Sequence, residues 1–94
     1  MCWVVNERFP TCLDFLIGRM DEPSEMCCNN VDKLNWIAKH GLARQICWCI
    51  EYIVRDTEPE MIPSRIDDLL IKCGTRLSFP ISDSKDCDKV GSEP

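Results

Sequence analysis

Eight cysteines are the residues of this 94-residue sequence whose type and spacing favour a definite chemistry. They are spread along nearly the whole chain, at Cys2, Cys12, Cys27, Cys28, Cys47, Cys49, Cys73 and Cys87. An even number of cysteines at this density is typical of a disulfide framework formed in an oxidising compartment. Four such bonds would supplement the small core of a short chain, each by about 3–4 kcal/mol on the chain-entropy account.

Two other uses of cysteine fit the spacing poorly. Structural zinc sites are built from C-x-x-C hooks or slightly wider pairs, and the sequence contains no C-x-x-C. Cysteines that are oxidised to disulfides cannot serve as nucleophiles. His40 is the only histidine. It stands at the expected end of a helix, where a cation is favoured electrostatically, so its position requires no catalytic or metal-binding role. We therefore expect a protein that is not an enzyme and that has no catalytic residue, metal site or cofactor.

The charge balance excludes further classes of function. Eleven basic and sixteen acidic residues give a formal net charge of −5. Nucleic-acid binding needs clustered Lys and Arg, and attraction to anionic membranes needs the same, so neither is expected. No apolar run approaches the ~18 residues of a membrane span. No secretory signal sequence is recognisable, so the sequence is expected to be a mature form.

Apolar residues at steps of three and four predict four helices, at about 4–20, 24–40, 42–55 and 64–73. Pro10 should kink the first helix or mark its true start. Ser24 is the expected N-cap of the second helix, and Gly74 the expected C-cap of the fourth. Residues 74–94 show no helical period and form an expected irregular tail. The sequence thus predicts one all-α domain, residues 1–94.

Helix geometry gives the paired cysteines a role. Cys27 and Cys28 lie about 100° apart around a helix, and Cys47 and Cys49 about 200° apart. The two members of a pair must therefore reach different partners. Each pair is expected to tie its helix to two other parts of the chain.

The spacing C-x9-C-x14-CC-x18-CxC-x23-C-x13-C resembles the eight-cysteine pattern of plant non-specific lipid transfer proteins, and its long gaps resemble their larger, type 1 class. The resemblance runs from Cys2 to Val90. It is strongest where Cys73-Gly74 and the segment from Phe79 to Cys87 are similar to the family's CG…Y-x-I-S-x-S-x-DC.

The resemblance implies a four-helix, disulfide-stapled bundle whose irregular C-terminal tail helps to enclose an apolar cavity. It also implies a monomer that is secreted to the extracellular space (cell wall or apoplast). Such a protein binds fatty acids or lysophospholipids and moves them through water. Burying an acyl chain is worth about 0.8 kcal/mol per CH₂, which requires no directional contact and explains loose specificity.

By matching position, the resemblance places Arg44 and Phe79 at the polar mouth of this cavity. Arg44 would pair with a lipid carboxylate or phosphate, although a solvated surface arginine is the plainer interpretation. The family typically has tyrosine where Phe79 stands, so a hydroxyl donor is missing here. The expected lipid-binding wall, which ordinary core packing would also explain, is Val31, Leu34, Ile50, Ile53, Ile66, Leu70, Leu77, Phe79 and Ile81.

Two disulfide patterns follow from the resemblance. The type 1 pattern implies Cys2–Cys49, Cys12–Cys27, Cys28–Cys73 and Cys47–Cys87, whereas a type 2 pattern exchanges the partners to Cys2–Cys47 and Cys49–Cys87. The spacing favours the first pattern. Trp48 favours the second, because type 1 members usually have a polar residue between the two cysteines. We expect the first.

Lipid binding and transfer is the predicted function, and two alternatives stay open. An inhibitor of digestive hydrolases (amylase or protease) is similar in cysteine pattern, but the acidic Asp21–Ser24 segment suits a trypsin-type reactive loop poorly. A defence signalling protein would present its lipid to a receptor. A transient contact with a membrane surface is a further expected interaction, and the net acidity predicts weak direct action on microbial membranes.

Overall fold

The structure, a computed structural model, describes residues 2–75 and Cys87. All regular secondary structure in these residues is helical, which confirms the expected all-α class. In chain order the elements are α1 (Trp3–Arg8), a 3-10 turn (Phe9–Cys12), α2 (Leu13–Leu16), α3 (Glu25–Ile37), a π-helical turn (Ala38–Leu42), α4 (Ala43–Asp56) and α5 (Pro63–Cys73). None of the helices formed by residues 2–75 is long and apolar enough to cross a membrane.

The first predicted helix, 4–20, is in fact three short pieces that end at Leu16. Pro10 lies in the 3-10 turn, because it has no N–H to donate and its ring crowds the carbonyl four residues earlier. The chain leaves the helical path at Gly18, whose φ of 89° is open to glycine at little cost. The helix therefore ends four residues earlier than the periodicity predicts.

The other helices begin and end near the residues that the sequence indicates. The Ser24 hydroxyl accepts a hydrogen bond of 2.9 Å from the Cys27 amide and so caps α3. Gly41, with φ of 98°, separates α3 from α4, so the helix expected at 24–40 ends at Ile37 and passes into the π-helical turn. Gly74 adopts the left-handed conformation that ends α5.

Four disulfides join these elements: Cys2–Cys49, Cys12–Cys27, Cys28–Cys73 and Cys47–Cys87, with Cα–Cα distances of 5.4, 4.9, 5.1 and 5.6 Å. This is the type 1 pattern. Cys47 and Cys49 are both buried on different sides of α4, so Trp48 between them points outward and is 48% exposed. An outward-facing tryptophan is compatible with the type 1 bridges.

The core is one buried cluster to which each of the five α-helices contributes. Its fully buried side chains include Val5, Phe9, Phe15, Leu16, Val31, Leu34, Ile50 and Leu69, each at most 2% exposed. Leu69 brings α5 into this core, and Ile71 on the same helix faces solvent. The two residues therefore make a matched pair for measuring what burial contributes.

We predict that Leu69→Ala lowers the free energy of unfolding by about 2–5 kcal/mol, because it deletes buried atoms and leaves a cavity. Ile71→Ala removes a comparable side chain that is 77% exposed, and should change stability by less than about 0.5 kcal/mol. Urea unfolding with the disulfides intact measures both. Equal losses in the two variants would show that α5 is not anchored through Leu69.

We also predict that Ser24→Ala destabilises the protein by about 0.5–2 kcal/mol, since the Cys27 amide loses its side-chain acceptor. Ser24→Asp restores an acceptor and should recover most of the loss. Thermal unfolding followed by circular dichroism provides the comparison, and an Asp variant as unstable as the Ala variant would contradict the capping role.

Candidate binding site

An open, partly apolar space lies between the end of α4 and the start of α5, and we call it the α4–α5 cavity. Its volume is about 490 Å³. Val54, Met61 and Ile66 supply its apolar surface, and Glu58 and Glu60 supply carboxylates. The described lining is Val54, Arg55, Thr57, Glu58, Glu60, Met61, Pro63 and Ile66.

A second open space, the α1–α4 groove, runs along the other side of the α4 terminus and has a volume of about 640 Å³. The described lining is Asn6, Pro10, Leu13, Asp14, Ile17, Tyr52, Ile53, Asp56, Thr57 and Glu58. Thr57 and Glu58 line both spaces. The chain that leaves α4 is therefore a common wall between the cavity and the groove.

Local contacts hold this wall in place. The Thr57 hydroxyl donates a hydrogen bond of 2.6 Å to the Ile53 carbonyl and so fixes the first residue after α4. At the other end of residues 57–62, the Ile62 amide donates to the Leu16 carbonyl at 2.9 Å. A Cβ on Gly18 would lie only 2.7 Å from Ile62 Cδ1, so glycine allows this close approach. The segment is thus attached to α2 as well as to the two helices that it joins.

The middle of α4 carries a carboxylate that is buried and paired. Glu51 is 8% exposed, forms an ion pair with Arg55 one turn later, and has Oε2 3.6 Å from Sγ of Cys87 in the Cys47–Cys87 disulfide. A pair of this kind compensates the buried charge. Among residues 2–75 and Cys87, no group of three or more His, Cys, Asp or Glu side chains could hold a metal ion.

The residues predicted to form the lipid wall divide into four groups. Ile53 lines the α1–α4 groove and Ile66 lines the α4–α5 cavity. Leu70 is half-buried on α5. Val31, Leu34 and Ile50 lie in the packed core, and Leu77, Phe79 and Ile81 lie outside the described residues. Their roles toward a lipid stay predictions.

Arg44 is exposed on the first turn of α4, whereas both open spaces lie at the other end of that helix. At 1.5 Å per residue, Arg44 is about 15 Å along the axis from Val54. The described structure therefore does not bring Arg44 together with Ile53 and Ile66. Its expected head-group contact stays a prediction.

Several lining residues were not selected from the sequence. Met61 stands in a polar loop without periodicity, so no pattern marks it as a wall residue. Leu13 and Ile17 belong to an apolar stripe that also predicts ordinary core. Asp14, Asp56, Glu58 and Glu60 bring carboxylates to the two openings, and a run of acidic residues by itself indicates only a solvated turn. These residues are recognised as lining residues only because the fold brings them together around the two open spaces.

Comparison with known proteins identifies the family of this chain. The model of the protease inhibitor, seed storage and lipid-transfer protein (LTP) family matches residues 2–87. Non-specific lipid-transfer protein 13 of Arabidopsis thaliana is 43% identical over 91 residues, which cover 95% of this chain and 72% of that protein. Non-specific lipid-transfer protein 3 of rice (Oryza sativa) is 31% identical over 90 residues, which cover 95% of this chain and 74% of that protein.

Solved structures agree as well. Barley non-specific lipid transfer protein 1 in complex with lysophosphatidylcholine superposes with a TM-score of 0.81 at 27% identity, covering 95% of this chain and 97% of that one. The allergen Art v 3 gives a TM-score of 0.80 at 27% identity, and the superposition covers 96% of this chain and 97% of that one. The chain therefore belongs to the plant non-specific lipid-transfer proteins, within the protease inhibitor, seed storage and lipid-transfer protein family.

Proposed function

We propose that this protein binds one acyl chain, from a fatty acid or a lysophospholipid, and carries it through the extracellular space. The α4–α5 cavity is the observation on which the proposal rests, because it sets apolar side chains around an open volume of about 490 Å³. That volume lies within the range of small-molecule sites. The lipid is the only ligand that the proposal requires, and the activity is binding and transport without catalysis.

The energetics suit a reversible carrier. Burying ten methylenes contributes about 8 kcal/mol, which corresponds to a micromolar complex. The cost of immobilising the ligand reduces this figure, so longer chains are needed to reach the same affinity. A carrier with moderate affinity can both load its lipid and release it.

Two further observations support the proposal. Barley non-specific lipid transfer protein 1, whose fold this chain shares, has been solved with lysophosphatidylcholine. Four disulfides and no free cysteine are suited to an oxidising compartment, which supports secretion. A membrane surface or a receptor that receives the lipid belongs to the same proposal.

An inhibitory role has less support in the segment where it was considered. Asp21 lies 3.8 Å from Arg65 and Glu22 lies 2.6 Å from Lys72, so both acidic residues face cations of α5. Ser24 is engaged as the cap of α3. The segment Asp21–Ser24 also contains no Lys or Arg, the residues that a trypsin-type site recognises.

The proposal predicts that Ile66→Glu weakens lipid binding at least tenfold, because it places a charge on the apolar surface of the α4–α5 cavity. Ile71→Glu introduces the same charge on the same helix at a position that is 77% exposed, and should leave the dissociation constant within about twofold. Displacement of a fluorescent fatty acid by unlabelled lipid measures both variants.

Circular dichroism and thermal unfolding establish that each variant is folded before its affinity is compared. The proposal would be overturned if the unsubstituted protein bound no fatty acid, lysophospholipid or monoacylglycerol across several chain lengths. A folded Ile66→Glu variant with unchanged affinity would instead move the lipid away from this cavity.

A further inference from the structure

The α1–α4 groove combines an apolar floor with an acidic rim. Pro10, Leu13 and Ile17 supply apolar surface from the first helical segment, and Ile53 supplies it from α4. Because Thr57 and Glu58 also line the α4–α5 cavity, the groove adjoins the space assigned to the acyl chain. Only the segment at Thr57 and Glu58 separates the two spaces, so a head group that emerges from the cavity beside this segment would reach the groove.

The charged groups at the groove are carboxylates. Asp14, Asp56 and Glu58 line it, and none of its described lining residues is Lys, Arg or His. Arg19 is 3.7 Å from Asp14, but both side chains are more than 60% exposed, so this pair neutralises the rim weakly. Within residues 2–75 and Cys87, Asp56 and Glu58 form no ion pair. The rim therefore repels anionic groups.

The α4–α5 cavity has the same character. Its described lining contains Glu58, Glu60 and a single cation, Arg55, which forms an ion pair with Glu51. Arg44, the cation that the sequence suggested for an anionic head group, lies about 18 Å along α4 from Asp56. The described residues thus present no unpaired cation at either opening, and the net charge of −5 adds to the repulsion of anions.

An aromatic ring completes the groove. Tyr52 lines it, is 64% exposed, and precedes Asp56 by four residues on α4, so the two side chains lie on one side of the helix. Aromatic faces attract quaternary ammonium groups, and nearby carboxylates strengthen that attraction. A ring and carboxylates beside an apolar cavity complement a lipid whose head group ends in a cation.

We propose that the α1–α4 groove is a head-group subsite for a trimethylammonium group, held between the Tyr52 ring and the carboxylates of Asp56 and Glu58. This inference rests on the proposed function, since the acyl chain must occupy the adjoining cavity. It makes zwitterionic lysophosphatidylcholine the preferred ligand over free fatty acids and lysophosphatidic acid of the same chain length. The preference comes from attraction to the choline and from repulsion of uncompensated anions.

The test is calorimetric titration with four palmitoyl lipids below their micelle concentrations: lysophosphatidylcholine, lysophosphatidic acid, palmitate and the uncharged monoacylglycerol. We expect lysophosphatidylcholine to bind at least tenfold more tightly than lysophosphatidic acid, with monoacylglycerol between them. Raising the salt concentration to 1 M should reduce the ratio of these two affinities, lysophosphatidylcholine to lysophosphatidic acid, because salt screens the exposed charges of the rim.

The variant Asp56→Asn/Glu58→Gln should reduce the ratio about tenfold, mostly by improving the binding of lysophosphatidic acid. Tyr52→Leu should weaken lysophosphatidylcholine severalfold and leave monoacylglycerol unchanged. The control Glu25→Gln/Asp32→Asn makes the same change in net charge on exposed carboxylates of α3, which does not line the groove, and should retain the preference.

The outcomes separate the two proposals. If none of the four lipids binds, the proposed function fails. If monoacylglycerol binds but lysophosphatidylcholine and lysophosphatidic acid bind equally, or the second binds more tightly, the lipid-binding function stands and the choline subsite is refuted. A groove variant that keeps the full preference, or a control that loses it, also refutes the subsite.

Discussion

The covalent attachment of α4 on two sides is the constraint on which the rest of this structure depends. Cys47 and Cys49 are both buried, and they join the helix to Cys87 and to Cys2. Residues two apart on an α-helix differ in direction by about 200°, so neither bond can substitute for the other. The axis of α4 is thereby fixed, and Ile53 and Val54 pack against the core while each lines one of the open spaces.

This attachment explains how one small domain contains both a dense core and an open volume. Phe9, Phe15, Leu34 and Ile50 belong to one buried cluster, and the cavity and the groove lie toward the end of α4. An unfilled apolar volume lowers stability, by about 24 cal/mol per Å³ in engineered cavities. The four disulfides restrict the unfolded chain and so offset such a loss of stability. The protein can therefore leave space for a ligand and remain folded.

The sequence indicated the helix ends that local caps such as Ser24 and Gly74 define, but periodicity did not show that the first helix breaks at Pro10 and ends at Leu16. The choice among disulfide partners needed the family resemblance, since helix geometry alone shows only that paired cysteines diverge. The division between core and open space was not predictable: Val31 and Ile66 both lie on apolar stripes, and periodicity does not show whether the opposite space is filled. The contact of Gly18 with Ile62 likewise joins residues far apart in sequence.

The order of the four bridges along the chain has a consequence for proteolysis. Cys2–Cys49 spans the first half of the chain, and Cys28–Cys73 and Cys47–Cys87 overlap it and one another. Every peptide bond between Cys2 and Cys87 is therefore enclosed by at least one bridge. A protease that cuts once, even in the segment between α4 and α5, releases no fragment from this region, and the nicked protein gains the mass of one water and separates only after reduction.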